Sequence, residues 1–356
     1  MKIAILGDTH FGMRNDSLHF HKYYQKFYND VFFPYLKKHD IKLIYQLGDL
    51  FDRRKYINFN SLYLAKKYFF DVLVEYNFFM VTLLGNHDIS YRNTLKVNSS
   101  ELLLDSYSKN IRVAREPETI DLNGTTIDLI PWICSENEKE IFEFIEKSKS
   151  EICFGHFEIA GFEMDRGNVC HEGMDRKHLR RYDIVLSGHF HHKSTDGQIY
   201  YTGTPGEITW SDYDDPRGFH IFDTETREME FIQNPYRMFY RIEYDDSKQS
   251  FEYWKDFDYS QFNEKYVKIL IVTKNNPYCF DTVLDKLLKE NPIDVCVVEN
   301  FEELEHIDDD TVNQAEDTVT ILSKYIDQLT LNVDKDKLKN VMRNLYIECL
   351  SAEQDL

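Results

Sequence analysis

Five short apolar segments of this 356-residue sequence end in the same way, with a glycine followed by a side chain that can bind a metal ion. The five pairs are Gly7-Asp8, Gly48-Asp49, Gly85-Asn86, Gly155-His156 and Gly188-His189. One such pair is typical of an ordinary turn. Glycine permits a sharp departure from a strand, and the carboxyl ends of neighbouring strands converge on one crevice. Five pairs therefore predict an α/β fold with a polar site at one edge of its sheet.

The spacing of apolar residues supports this fold class. Strands are predicted at 2–6, 42–47, 79–84, 151–154, 183–187 and 198–203, and helices at 18–38, 60–77, 136–148 and 175–181. Residues 219–233 are typical of a closing strand pair. Because strands alternate with helices, we expect a largely parallel or mixed sheet covered on both faces.

The pattern changes after residue 235, so residues 1–235 are predicted to form the main domain. Residues 236–303 are predicted to form a small α+β domain, with strands at 239–244, 266–272 and 294–299 and a helix at 278–290. Residues 304–316 lie in an acidic stretch without Lys or Arg and are predicted to be a linker. Residues 317–356 are predicted to form two amphipathic helices that are too short for a core of their own and pack on a partner.

Composition sets weaker limits on function. The chain has 62 acidic and 42 basic residues, a net charge of −20 that taken alone argues against binding nucleic acid. A cluster of metal-binding carboxylates adds to that negative charge, however. The six cysteines include no C-x-x-C pair, and the amino-terminal "MKIAILGDTH" is typical of a strand rather than a signal peptide. We therefore expect reduced thiols, a cytoplasmic location and no membrane span.

Two further histidines extend the predicted site. His10 lies two positions after Asp8, and His191 lies two positions after His189, which places each pair on one side of extended backbone. By the same alternation His192 points elsewhere. The resulting set of two aspartates, one asparagine and four histidines suits octahedral Mn²⁺, with Mg²⁺, Fe²⁺ or Zn²⁺ as substitutes. Seven ligands exceed what one metal needs, so we predict two metals that share a bridging carboxylate.

The segments "GDTH", "GDLFD", "GNHD", "GHFE" and "GHFHH" resemble the five motifs of calcineurin-like metallophosphoesterases. Their order and spacing resemble most closely the nuclease subunit of SbcCD-type repair complexes. Within that group, "LIPWICSENE", "GTP" and "DPRGF" resemble the version encoded by T4-like bacteriophages as a recombination endonuclease subunit. The resemblance covers about residues 1–225. It implies a four-layer sandwich of two mixed sheets flanked by helices, with a small α+β capping domain and C-terminal helices.

The resemblance also implies a role for each site residue. One metal would be held by Asp8, His10, Asp49 and His191, and the second by Asp49, Asn86, His156 and His189. His87 matches the family's catalytic histidine, and Asp88 would orient it. Archaeal and eukaryotic relatives carry histidine at the position of Asp52, so no role of that histidine transfers to this chain.

Contacts with DNA and with partner proteins are predicted on fewer grounds. Arg53, Arg54 and Lys55 follow a metal motif and either face a phosphate backbone or form a solvated helix start. Tyr91 and Arg92 are candidates for DNA contact beside the site. The resemblance implies binding of an SbcC-like ABC-type coiled-coil ATPase by the C-terminal helices. It also implies a homodimer within a heterotetramer, with apolar helices around 60–77 and 95–106 as its seam.

The leading hypothesis is a Mn²⁺-dependent DNA endonuclease and 3′-to-5′ exonuclease that acts in recombination and repair. A phosphatase or small phosphodiesterase on the same scaffold is the alternative, because fold and metals do not choose the substrate. The extra unit at 236–303 and the tethered helices favour the nuclease. A scaffold subunit that has lost its metals is a third hypothesis, and the full set of ligands argues against it.

Overall fold

The computed structural model describes residues 1–299 and, beyond them, Ile326, Lys335, residues 337–339 and Met342, all six of which are helical. The predicted acidic linker at 304–316 lies outside the described residues. The predicted helices of 317–356 lie outside them as well, apart from these six positions. Both therefore stay predictions.

The described chain contains 19 strands and a smaller number of helices. The strands are β1 Lys2–Leu6, β2 Leu43–Gln46, β3 Phe79–Leu83, β4 Ile89–Tyr91, β5 Thr94–Asn98, β6 Ile111–Ala114, β7 Glu118–Leu122, β8 Thr125–Ile130, β9 Ile152–His156, β10 Glu163–Asp165, β11 Asn168–Val169, β12 Ile184–Gly188, β13 Ser194–Thr195, β14 Ile199–Tyr201, β15 Gly218–Asp223, β16 Met229–Gln233, β17 Phe239–Asp245, β18 Tyr266–Thr273 and β19 Asp294–Val298. The principal helices are Leu18–Phe27, Phe33–Lys38, Phe59–Ala65, Asp71–Glu75, Ser99–Leu104, Glu138–Lys147, Phe251–Asp256 and Pro277–Lys289.

Two six-stranded mixed sheets form the centre of the molecule. The first has the order β16-β15-β1-β2-β3-β6 and the second the order β13-β14-β12-β9-β8-β7. Ile5 and Val81 of the first sheet share one buried cluster with Ile127 and Leu186 of the second. Helices cover the outer faces, for example Phe27 and Phe69 over the first sheet and Ile141 over the second. The chain is thus a four-layer α/β sandwich, as the family resemblance implies.

Residues 236–299 add a three-stranded parallel sheet, β17-β18-β19, with its own apolar cluster around Trp254, Ile269 and Val283. Met238 and Phe239 pack into the main core, and Glu207 accepts hydrogen bonds from their amides at 2.6 Å and 3.0 Å. This small α+β unit contains the three strands and the helix that the sequence predicts for it. The domain boundary at residue 235 stays a prediction.

Four predicted helices differ from the observed elements, and the one at 175–181 is a short 3₁₀ helix, Arg176–Leu179. Segments 18–38 and 60–77 are each interrupted by a π-helical turn, at Tyr28–Phe32 and Lys66–Phe70, and the two turns pack through rings of Tyr28 and Phe69 with centroids 4.7 Å apart. Segment 95–106 is strand up to Asn98, because the Asn98 side chain accepts from the amide of Glu101 at 2.8 Å and so caps a helix that begins only after it.

Two further observations bear on the compositional predictions. Every helix in the described part of the chain is too short or too polar to cross a bilayer. The cysteines at 134, 153, 170, 279 and 296 are free thiols, and Cys349 lies outside the described residues.

Candidate metal centre

The register of the central strands brings the five glycine pairs to one edge of the sandwich. Parallel pairing places Leu6 beside Gln46 and Gln46 beside Thr82, so the loops after β1, β2 and β3 leave the first sheet together. In the second sheet Gly188 pairs with His156. All seven predicted ligands lie at this edge, in two groups of close metal-competent side chains, and Asn86 contacts two histidines of one of them.

The first group, here called the His156 group, consists of Asp49, Asn86, His156 and His189. Asn86 Oδ1 lies 3.0 Å from His156 Nε2 and 2.9 Å from His189 Nδ1. Asp49 Oδ2 lies 3.4 Å from His156 Nε2. His156 Nδ1 lies 2.7 Å from the carbonyl oxygen of Leu47, a contact that directs Nε2 into the site.

The second group, here called the His10 group, consists of Asp8, His10 and His191. His10 Nε2 and His191 Nε2 face each other at 3.1 Å. The Asp8 carboxylate accepts from the amide of His189 at 2.9 Å, which ties this group to the loop of the other. Asp49 Oδ2 lies 3.9 Å from His10 Nε2, so Asp49 stands between the two groups.

The glycines permit these short distances. A Cβ on Gly85 would lie 2.1 Å from Asp49 Oδ1, and one on Gly48 would lie 2.4 Å from His156 Nδ1. The loops also contain backbone conformations that residues other than glycine rarely adopt, since His10, Asp49 and His189 all have positive φ. Strained backbone of this kind concentrates at functional sites.

Burial and neighbouring charges set the protonation of the metal-free site. Burial lowers the pKa of His10 well below its usual value and that of His191 to about 4, so both imidazoles are neutral. Burial also lowers the pKa of His156, but the charge and hydrogen bond of Asp49 outweigh it and raise that pKa to about 9. Although burial opposes it, His156 and His87 hold the pKa of Asp49 well below its usual value.

This arrangement fits divalent cations. Imidazole nitrogens and carboxylate or amide oxygens face one another at hydrogen-bond distances, and the Nδ1 atoms of His10 and His191 are buried without a hydrogen-bond partner among the described residues. Nitrogen and oxygen donors of this kind suit Mn²⁺, Fe²⁺ or Zn²⁺. Asp49 is placed to serve both groups.

In the structure the Asp88 side chain contacts main-chain groups. Its carboxylate accepts from the main-chain amides of Asp49 at 2.8 Å, Leu50 at 3.0 Å and Gly85 at 2.9 Å. Both oxygens are thus engaged by backbone, and Asp88 holds the loop that carries Asp49 rather than the His87 ring. Burial raises the pKa of Asp88 to about 6.

His87 is held by Asp49 and Asp52 instead. Its amide donates to Asp49 Oδ1 at 2.7 Å, and its Nδ1 lies 2.5 Å from the carbonyl oxygen of Asp52. The ring is half-buried and stands edge-on to His10, with centroids 4.9 Å apart. His87 therefore lies at the open side of the site with Nε2 as its remaining polar atom.

Asp52 is a functional candidate that the sequence pattern alone did not identify. Its carboxylate lies 3.5 Å from His10 Nδ1, and it forms a metal-competent group with His10 and His87. Burial raises the pKa of Asp52 to about 6. A carboxylate behind a metal-binding histidine orients the ring and raises its basicity. The "GDLFD" motif contained this residue, but only the fold shows which histidine it approaches.

Arg217 is a second residue that the sequence reasoning missed, although "GTP" and "DPRGF" marked its surroundings. Its guanidinium is buried and donates to Asp212 at 2.6 Å, to Asp215 at 2.7 Å and to Thr204 Oγ1 at 3.1 Å. It also donates to the carbonyl oxygen of His191. Arg217 thus holds the backbone of a His10-group residue from behind.

Two aromatic side chains complete the surroundings of the site. The Trp132 ring lies 5.1 Å from that of His189 and 5.8 Å from that of His156, so Trp132 adjoins the site as well as a small apolar cluster. His192 Nδ1 lies 2.8 Å from Asp215 Oδ2, outside both groups, as the strand alternation predicts.

The residues predicted to contact DNA differ in their exposure and in their contacts within the chain. Arg53 is engaged within the chain, with Tyr56 and Asn15 each at 2.7 Å. Arg54 is half-buried, and burial together with the charge of Arg92 lowers its pKa. Lys55 and Tyr91 are exposed.

Comparison with known proteins places the chain in a family. Residues 1–193 match the calcineurin-like phosphoesterase family. The chain is 34% identical over 354 residues to "Exonuclease subunit 1" of Enterobacteria phage T4, a match that covers 98% of this chain and 99% of the relative. It is 22% identical over 238 residues to a subunit of the nuclease SbcCD of Staphylococcus epidermidis, which covers 58% of this chain and 61% of the relative.

Solved structures add only a distant likeness. A phosphatase from Mycoplasma pneumoniae matches 66% of this chain and 93% of its own with a TM-score of 0.37 and 12% identity. The family match spans more than half of the chain, and the phage relative matches nearly all of it. The chain is a member of the calcineurin-like phosphoesterase family.

Proposed function

We propose that the chain is a metal-dependent DNA endonuclease and 3′-to-5′ exonuclease, the nuclease subunit of an ATP-regulated complex that processes DNA ends and double-strand breaks. The observation that carries this proposal is the convergence of seven metal-competent side chains from five strand ends on one edge of the sandwich. A relative named as an exonuclease subunit, matched over 98% of this chain, supports a nucleic acid as the substrate.

The proposed cofactors are two Mn²⁺ ions, with Mg²⁺ as a substitute. Asp8, His10, Asp49 and His191 would hold one ion, and Asp49, Asn86, His156 and His189 the other. Bound there, two such cations would activate water and offset the negative charge that develops on a phosphodiester during in-line hydrolysis.

The chain's own residues supply orientation and a proton. Nδ1 of His87 is hydrogen-bonded to the carbonyl oxygen of Asp52. Only Nε2 of His87 is therefore left to protonate the oxygen that leaves the phosphorus atom. Asp88 keeps Asp49 between the two groups by fixing the backbone of residues 49–51. Arg53, Arg54, Lys55, Tyr91 and Arg92 are proposed to contact DNA beside this site; Arg53 would exchange its contacts with Tyr56 and Asn15 for a phosphate.

The proposed partners are an ABC-type coiled-coil ATPase and a second copy of the chain, in a heterotetramer that acts in the cytoplasm. Both named relatives are subunits of larger nucleases, which supports a partner of some kind. The segment proposed to bind the ATPase, 317–356, lies almost wholly outside the described residues.

The decisive assay compares linear and hairpin DNA, with and without the ATPase and ATP, in the presence of Mn²⁺. Cleavage of DNA is expected, and it should disappear in His87→Ser while the Mn²⁺ content stays unchanged. His39→Ser is the matched control, because His39 is exposed at a helix end away from the site. Efficient hydrolysis of p-nitrophenyl phosphate with intact DNA would instead identify a phosphatase.

A further inference from the structure

A cleft of about 380 Å³ opens beside the His156 group, and the chemistry of the metal centre does not use it. His156 and Trp132 form its wall toward the site. Because His156 Nε2 lies 3.0 Å from Asn86 Oδ1 on the other side of that wall, the cleft and the candidate metal centre are neighbours. The volume falls within the range of about 300–1,000 Å³ usual for ligand pockets.

Aromatic side chains line the interior of the cleft. Phe142, from the helix Glu138–Lys147, presents its ring to it, and the ring of His178 stacks on Phe142 with centroids 4.3 Å apart. Phe157 is another wall, and its ring occupies the space that a Cβ on Gly155 would fill, at 2.1 Å from ring carbon Cε2. Gly155, the next-to-last residue of β9, thus leaves room for the Phe157 ring, which is almost wholly buried behind the cleft.

Carboxylates form the rim, and main-chain hydrogen bonds hold it in place. Glu158 and Glu172 are exposed at the opening, with Glu138 and Asp175 nearby. The amide of Met174 donates to the carbonyl oxygen of Glu158 at 2.7 Å, and the amide of Ala160 donates to that of Met174 at 3.1 Å. The segment that carries Glu172 is therefore fastened to the segment that carries Glu158.

The geometry points to a subsite for one unstacked nucleobase of the DNA strand whose phosphate lies at the metal centre, and this assignment rests on the proposed nuclease function. Four carboxylates at the rim repel phosphates, so a strand can enter the cleft only with a base. Aromatic walls stack on any base face. Rim carboxylates accept hydrogen bonds only, which favours bases with exocyclic amino groups, such as cytosine and guanine, over thymine.

The test is a scan with single-stranded oligonucleotides in which each position around one cleavage site is made abasic in turn. With Mn²⁺, one position next to the scissile phosphate should lower kcat/KM by about fivefold or more, the lower end of what one base–aromatic stack contributes. In Phe142→Ala the kcat/KM for the intact substrate should be nearly equal to that for the abasic substrate. Phe144→Ala is the matched control, since Phe144 lies on the same helix and packs on the same core without lining the cleft.

A second variant tests the rim without disturbing the core. Glu158→Gln combined with Glu172→Gln replaces two exposed acceptors with amides that also donate. The wild-type preference for cytosine or guanine over thymine at the sensitive position, about fivefold for one good pair of hydrogen bonds, should shrink to less than about twofold. An unchanged preference would overturn the subsite.

The outcomes separate this proposal from the function on which it rests. If the wild-type protein hydrolyses p-nitrophenyl phosphate but no oligonucleotide, both proposals fall. If it cleaves DNA and the abasic scan is flat, or the sensitivity persists in Phe142→Ala, only the subsite falls. A flat scan together with binding of a lysine-rich peptide that Phe142→Ala abolishes would assign the cleft to a basic protein segment and overturn the subsite.

Discussion

The two halves of the candidate metal centre are built in different ways. In the His156 group both ring nitrogens of His156 have polar partners, and Asn86 bridges His156 and His189. In the His10 group the Nδ1 atoms of His10 and His191 lack hydrogen bonds among the described residues, the Asp52 carboxylate approaches His10 Nδ1 only to 3.5 Å, and the two Nε2 atoms face each other. The first half is thus prearranged by its own hydrogen bonds, whereas the second depends on backbone support and on a bound cation.

Removal of the residue that links the halves should have the largest effect. Asp49→Asn keeps the size of the side chain but removes the charge that lies 3.4 Å from His156 and 3.9 Å from His10. We expect losses of Mn²⁺ affinity and of activity greater than about 100-fold, the upper range for a contact behind the ligands. Titration of Mn²⁺ followed by electron paramagnetic resonance should lose the signal of a coupled metal pair. A persistent coupled pair would show that Asp49 does not bridge.

The pH dependence of cation binding should distinguish the His156 group from the His10 group, with the second-largest effect. Below pH 9 the metal-free His156 carries a proton that a cation must displace, whereas His10 and His191 are already neutral. Between pH 9 and pH 7 the Mn²⁺ affinity of the His156 group should therefore fall about 50-fold because of this proton, whereas the imidazoles of His10 and His191 should add no such pH dependence.

Calorimetry in buffers of different ionisation enthalpy measures this difference. At pH 7 one proton should be released from His156 when its group is filled, whereas His10 and His191 should release none. Equal proton release at both steps would show that the two groups do not differ in charge state.

Loss of the hydrogen bond from Arg217 to the His191 carbonyl oxygen should weaken cation binding by the His10 group alone. Arg217→Lys keeps the charge, but an ammonium cannot reach Asp212, Asp215 and the His191 carbonyl together. We expect the Mn²⁺ affinity of the His10 group to fall about 10- to 100-fold, while that of the His156 group is retained. Separate binding steps in calorimetry would report this.

Arg227→Lys is the control for this change, because Arg227 is a half-exposed arginine that pairs with Glu151 and Asp183 at the surface. Melting temperatures of the metal-free proteins complete the comparison. Equal losses at both groups with a large drop in Tm would assign Arg217 to general stability rather than to positioning of His191.

The structure brings together the side chains that the sequence predicts as ligands, whereas the residues that support them could not be predicted, for a physical reason. Asp8, Asp49, Asn86 and His156 follow strands whose ends any parallel arrangement brings together, so local pattern is enough. Asp88 and Arg217 act through main-chain groups of segments distant in sequence, and those partners depend on sheet register and loop path. The helix predicted at 95–106 begins only at residue 99, because Asn98 caps it there although the apolar spacing before Asn98 is also helical.

The smallest effect expected at the His10 group comes from Thr204→Val. Thr204 Oγ1 lies 3.1 Å from the Arg217 guanidinium and donates to the carbonyl oxygen of Gly206 at 2.8 Å. Valine has nearly the same shape, so the change removes about 0.5–1.5 kcal/mol of hydrogen bonding and should lower Mn²⁺ affinity about two- to tenfold. Thr202→Val is the control, because its hydroxyl makes one long contact of 3.4 Å to the Ser187 carbonyl oxygen. If Thr202→Val weakens the His10 group as much as Thr204→Val does, the support runs through the whole loop rather than through Arg217.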